Sequence, residues 1–64
     1  MNEIVKIWLE ELYKGAIEEA KGTIENEHIW ELGYDGEESN PHTENIEVLK
    51  EYIEVLEEKL AELN

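Results

Sequence analysis

Between Asn45 and Leu63 the chain reads NIEVLKEYIEVLEEKLAEL, and Ile46, Leu49, Ile53, Leu56, Leu60 and Leu63 recur at alternating steps of three and four. Such steps bring side chains onto one face of an α-helix. The segment is therefore an amphipathic helix that needs an apolar surface to close against. The heptad residues mark only the centre of its stripe. Val48, Tyr52 and Val55 widen it, and at about 100° per residue the apolar surface then covers roughly half the circumference. A two-stranded coiled coil uses a narrower seam. So wide a face suits a bundle in which each helix touches two neighbours.

One neighbour lies earlier in the same chain. Val5, Trp8, Leu9, Leu12, Ala16, Ala20 and Ile24 stand at helical spacing, with Tyr13 and Ile17 along one edge, and predict a first helix over about residues 2–32. Asn2 is a good N-cap, and Glu3 sits well against the positive end of the helix dipole. Gly33 reads as a C-terminal stop in the left-handed conformation. Gly15 and Gly22 each cost about 1 kcal/mol relative to alanine inside a helix. They lie seven apart on one face with Glu11 and Glu18, roughly opposite the apolar stripe, which predicts a weak, solvated face rather than close backbone packing. A break at Gly22-Thr23, with Thr23 capping a short helix from Ile24 to Leu32, is the rival; one continuous helix is the favoured reading.

Residues 33–40, GYDGEESN, form a loop by composition. Asn40 followed by Pro41 is a start signal, a cap and then a ring that presets φ for the first turn, and the last helix is predicted over about residues 41–63. The expected fold is all-α: one domain over residues 1–64, an antiparallel helical hairpin whose longer first helix overhangs. The second neighbour of the wide face is then another copy, giving a dimeric four-helix bundle. Its expected core is Trp8, Leu12, Ile46, Leu49, Ile53, Leu56 and Leu60. Trp8 and Trp30, near opposite ends of the first helix, either pack on that partner or cover the ends of a single bundle.

Size and charge point the same way. A chain of 64 residues buries only about 60% of its unfolded surface, and small scaffolds usually add disulfides, metals or a partner subunit. The chain has no cysteine, which excludes disulfides and thiolate metal sites and fits a reducing cytoplasm. Eighteen Asp and Glu against five Lys give a net charge of −13. Direct binding to nucleic acid or to anionic membranes is disfavoured, because both need cationic side chains. The apolar runs are too short for a membrane span of about 20 residues, and the Met1-Asn2-Glu3-Ile4 start does not read as a signal peptide. The expected location is the cytoplasm.

Little in the chain suggests chemistry. Glu25-Asn-Glu-His28 has the Glu-x-x-His spacing of di-metal carboxylate bundles, yet the last helix offers no glutamate on its apolar face to complete such a set. An edge histidine is the better reading, and no metal or other cofactor is expected. Ser39, with Asp35 and His42 nearby, lacks the fixed geometry and oxyanion hole of a nucleophilic site; Ser39 and His42 are expected to take part in capping. The Tyr34-to-Ser39 loop lacks the ligand spacing of a calcium loop and reads as a solvated connector. No catalytic residue is assigned and enzymatic activity is not expected. Glu44, Glu47, Glu51, Glu54, Glu58 and Glu62 form a ladder on the outside of the last helix, relieved by Lys50. It is either a solubilising face or an acidic docking row, with Glu47, Glu51, Glu54 and Glu58 as its candidate contacts. Mimicry of DNA would want two rows of carboxylates, and one helix supplies one.

The run Trp8-Leu-Glu-Glu-Leu, then Ile24-Glu-Asn-Glu and His28-Ile-Trp30, then the Leu-Glu-Glu-Lys-Leu of the final helix resembles short acidic proteins of Gram-positive phages and prophages. The absence of arginine and the Ile, Asn, Lys and Glu bias resemble the product of an AT-rich genome. The resemblance implies a small accessory protein, some of which inhibit bacterial anti-phage defence, among them the Hachiman inhibitors. It carries over no functional residue. The expected function is therefore a homodimeric interaction protein that binds or inhibits a host protein, with a purely structural or assembly role as the alternative.

Overall fold

The computed structural model describes residues 2–36 and 38–64. Two helices form an antiparallel hairpin, α1 over Glu3–Leu32 (30 residues) and α2 over Pro41–Glu62 (22 residues). No strand occurs among the described residues. Each helix begins where its capping residue dictates. The Asn2 side chain accepts from the Ile4 amide at 2.8 Å, and the Asn40 side chain accepts from the His42 amide at 2.9 Å. Both caps relieve amides that the first helical turn leaves without partners. α2 ends one residue before the predicted Leu63, which serves as its C-cap.

α1 runs through Gly15 and Gly22 without a break. Instead of capping a new helix, the Thr23 hydroxyl donates back to the Glu19 carbonyl at 3.0 Å. Ile17, Ala20 and Ile24 belong to one apolar cluster with α2 on both sides of Gly22. Bending there would pull one side away, and that loss exceeds a glycine's cost of about 1 kcal/mol. The expected left-handed stop at Gly33 does not form. Gly33 stays right-handed, at φ −89° and ψ −2°, with its amide donating to the Ile29 carbonyl at 3.3 Å. The Asn40 side-chain amide reaches across from the far end of the loop to the Glu31 carbonyl at 3.0 Å. The same carbonyl also accepts from the Tyr34 amide at 3.3 Å, so right-handed backbone bonds close the last turn and the Asn40 contact ties it to the start of α2.

The core consists of Ile17, Ala20, Ile53 and Leu56, flanked by Tyr13, Ala16, Ile24, Leu49 and Leu60, with Ile46 buried further along α2. All five expected core residues of α2 therefore face α1. The expected centre of the α1 stripe is displaced. Tyr13 and Ile17, assigned to an edge, lie on the seam, whereas Trp8 and Leu12 are 66% and 64% exposed and contribute nothing to the hairpin's own core. The apolar surface of α1 is wider than one partner can cover, so periodicity alone leaves its rotation open. The rotation adopted sets the small Ala16 and Ala20 among the large Ile53 and Leu56, the complementarity that close packing rewards.

The molecule measures 52 × 15 × 11 Å with a radius of gyration of 15.3 Å, against about 10.7 Å for a compact chain of this length. Among the described residues it is a bar one helix pair thick, with no second layer on its broad sides.

Candidate functional site

The end of the hairpin nearest the loop closes on a polar layer. Glu27 and Glu31 continue the seam of α1 by the steps that link Ile17, Ala20 and Ile24, and they meet the first turn of α2. The His42 ring nitrogen Nδ1 stands 2.6 Å from a Glu27 carboxylate oxygen, and the Asn45 amide donates to the same carboxylate at 3.2 Å. Glu31 accepts from the Thr43 hydroxyl and stands 3.0 Å from the His28 ring nitrogen. Trp30 stacks on His42 with ring centroids 6.3 Å apart, and Tyr34 approaches the same ring edge-on. Sequence reasoning missed this layer. Its signal was readable: stepping forward from Ile24 reaches Glu27 and Glu31, and stepping back from Ile46 reaches Thr43 and His42.

Hydrogen bonds from His42 and Asn45 hold the Glu27 carboxyl below its ordinary value of 4.5, against an opposing effect of partial desolvation. The Thr43 hydroxyl does the same for Glu31, assisted by His28. Both carboxyls are lowered in the folded state, so their contribution is full above the ordinary value and disappears as pH falls through the lowered one. The stability difference between the natural chain and a Glu27→Gln, Glu31→Gln variant is therefore expected to be present above pH 5 and to vanish in stronger acid. Comparing the two by chemical denaturation across that range, with Trp30 emission as the probe and Trp8→Phe in both, tests the assignment. A difference that grows toward low pH would contradict it.

The Glu25-x-x-His28 spacing holds nothing together. His28 turns to Glu31 rather than to Glu25, and no cluster of three or more His, Cys, Asp or Glu among the described residues could hold a metal ion. Ser39 lies in the exposed loop, and Asn40 does the capping expected partly of Ser39 and His42. The connector reading of the loop includes Glu37, which lies outside the described residues.

The two broad sides of the bar differ in their balance of apolar and charged residues. On one side a shallow groove of about 240 Å³ runs between the helices, lined by Ala16, Glu19, Ala20, Thr23, Leu49 and Tyr52. At about 100° per residue, Trp8 and Leu12 of α1 and Val48 and Val55 of α2 fall on its rims. Trp8, Leu12 and Val48 are each nearly two-thirds exposed, and Tyr52 and Val55 nearly half. The other broad side carries Glu10, Lys14, Lys21 and the half-exposed Ile7 from α1 and Lys50, Glu54 and Glu57 from α2 by the same periodicity, which also sets Lys59 on the groove side beside Tyr52. Exposed large apolar side chains are thus more numerous on the groove side than on the opposite one.

The candidate acidic row of Glu47, Glu51, Glu54 and Glu58 is exposed along its whole length, together with Glu44 and Glu62. Glu51→Lys is accordingly expected to leave thermal stability within about 0.5 kcal/mol; a large loss of helicity on thermal scanning would show that this face is covered. No helix among the described residues is long and apolar enough to cross a membrane. No family model, curated protein or solved structure matches this chain.

Proposed function

We propose that the protein is a non-catalytic interaction module that self-associates into a four-helix bundle and engages a basic surface of a host protein in the cytoplasm, inhibiting it. The observation that carries this reading is the pairing of an open apolar side with an exposed carboxylate row on one rigid hairpin. The apolar side supplies self-association. Glu47, Glu51, Glu54 and Glu58 point away from the seam and stay free to meet lysines and arginines on the target. A net charge of −13 accelerates encounter with a basic partner and repels acidic ones. The resemblance to small phage and prophage proteins is what suggests a component of anti-phage defence as the target.

Affinity purification of the full chain from bacterial cells at low salt tests the reading. A stoichiometric protein partner is expected, retained by the natural chain and lost by a variant carrying Gln at positions 47, 51, 54 and 58. Recovery of no partner, or of one indifferent to the four substitutions, would overturn the acidic-row assignment. Assembly into large, open-ended particles would favour the structural alternative.

A further inference from the structure

We infer that the occupant of the groove side is a second copy of this chain, docked face to face so that Leu12, Thr23, Val48 and Tyr52 become interior. The inference rests on the self-association proposed above and names the surface that performs it.

Area is the first argument. The hairpin exposes 5141 Å², whereas a compact monomer of 7.5 kDa exposes about 4,250 Å². The excess of about 900 Å² is close to the roughly 800 Å² that each partner contributes to a standard interface. A second hairpin of the same length would cover the whole groove side, since the bar is 52 Å long and its uncovered residues run from Trp8 to Trp30. The shape of the surface is the second argument. The groove floor at Ala16 and Ala20 is low, and the rims at Trp8, Leu12, Val48 and Val55 are high. Offset sideways so that one rim of each copy enters the groove of the other, two such surfaces can interlock as the layers of a four-helix bundle do. Charge is the third. Glu19 lines the groove and Glu44, Glu47 and Glu51 border its Val48 rim, with Lys59 on the same side to offset them. Pairing through the groove side still brings fewer like charges together than pairing through the six-glutamate ladder would.

The test is sedimentation equilibrium of the full chain and three variants. The natural chain is expected at twice its 7.5 kDa mass at micromolar concentration. Leu12→Glu, which buries a carboxylate in each half of the interface, should weaken the dimer by about a hundredfold or more. Ile29→Glu makes the same chemical change at a side chain that is 67% exposed on the outer surface of α1, and should leave the dimer unchanged. Thr23→Leu adds apolar surface to the groove without disturbing the hairpin seam, and should tighten the dimer by about tenfold or more. This gain guards against misreading a variant that merely unfolds. A natural dimer indifferent to Leu12→Glu and Thr23→Leu would overturn the choice of face while leaving self-association standing. A natural chain that stays monomeric at millimolar concentration would overturn both, and would assign the groove side to a different partner.

Discussion

Ile53→Asp is expected to abolish the folded state. Ile53 is 8% exposed and belongs to the cluster with Ile17, Ala20 and Leu56. The substitution removes a branched side chain worth about 2–5 kcal/mol on truncation and places a carboxylate where no cation or donor is at hand. Burial of an unpaired charge adds several kcal/mol, and a domain of this size has about 5 kcal/mol in total to lose. Far-UV circular dichroism should therefore show the loss of most helix at 25 °C. Ile53→Val, which keeps the branch and removes one methylene, should cost only about 1 kcal/mol and retain the helical spectrum. If Ile53→Asp instead melts like the natural chain, the seam assignment is wrong.

The second large effect runs in the opposite direction. Gly15 and Gly22 lie inside α1, and a Cβ built at either would meet nothing within 4 Å. Replacing both by alanine should stabilise the protein by about 1–2 kcal/mol through helix propensity and the reduced freedom of the unfolded chain. The sites are about 10 Å apart along the helix, far enough for the two gains to add. For a domain of this size that corresponds to a rise in Tm of about 5–15 °C, readable by thermal scanning. A destabilised double variant would mean that another backbone approaches these glycines closely in solution, which would call for a contact on the outer side of α1 rather than on the groove side.

These two outcomes bear on different levels of the structure. The glycine effect is local and would be much the same in an isolated stretch of helix. The Ile53 effect exists only because α1 covers that position. The polar layer at the loop end is of the second kind: neither Glu27 nor His42 has any reason to be partly buried until the hairpin closes and brings residues fifteen apart to 2.6 Å.

Much of the fold was legible along the chain. Asn2, Asn40 and Pro41 mark the helix starts, because caps act within one turn and need no tertiary partner. The heptad of α2 names its buried face correctly, since Ile46, Ile53 and Leu56 are buried and Leu49 and Leu60 pack against α1. α1 was less legible. Apolar residues surround more of its circumference than one helix can cover, so spacing predicts an apolar helix but not which strip of it meets α2. Packing chose Tyr13, Ala16, Ile17, Ala20 and Ile24 for the seam and left Trp8 and Leu12 on the groove side. The C-terminus of α1 shows the same division. A glycine after Leu32 suggested a left-handed stop, but the turn closes right-handed through the Gly33 and Tyr34 amides, and Asn40 at the start of α2 adds a tertiary bond to the Glu31 carbonyl. Helix existence and N-capping are short-range properties, and the residues themselves determined them. Helix rotation, the polar layer at the loop and the identity of the open apolar side depend on how two surfaces fit, and only the folded hairpin decided those.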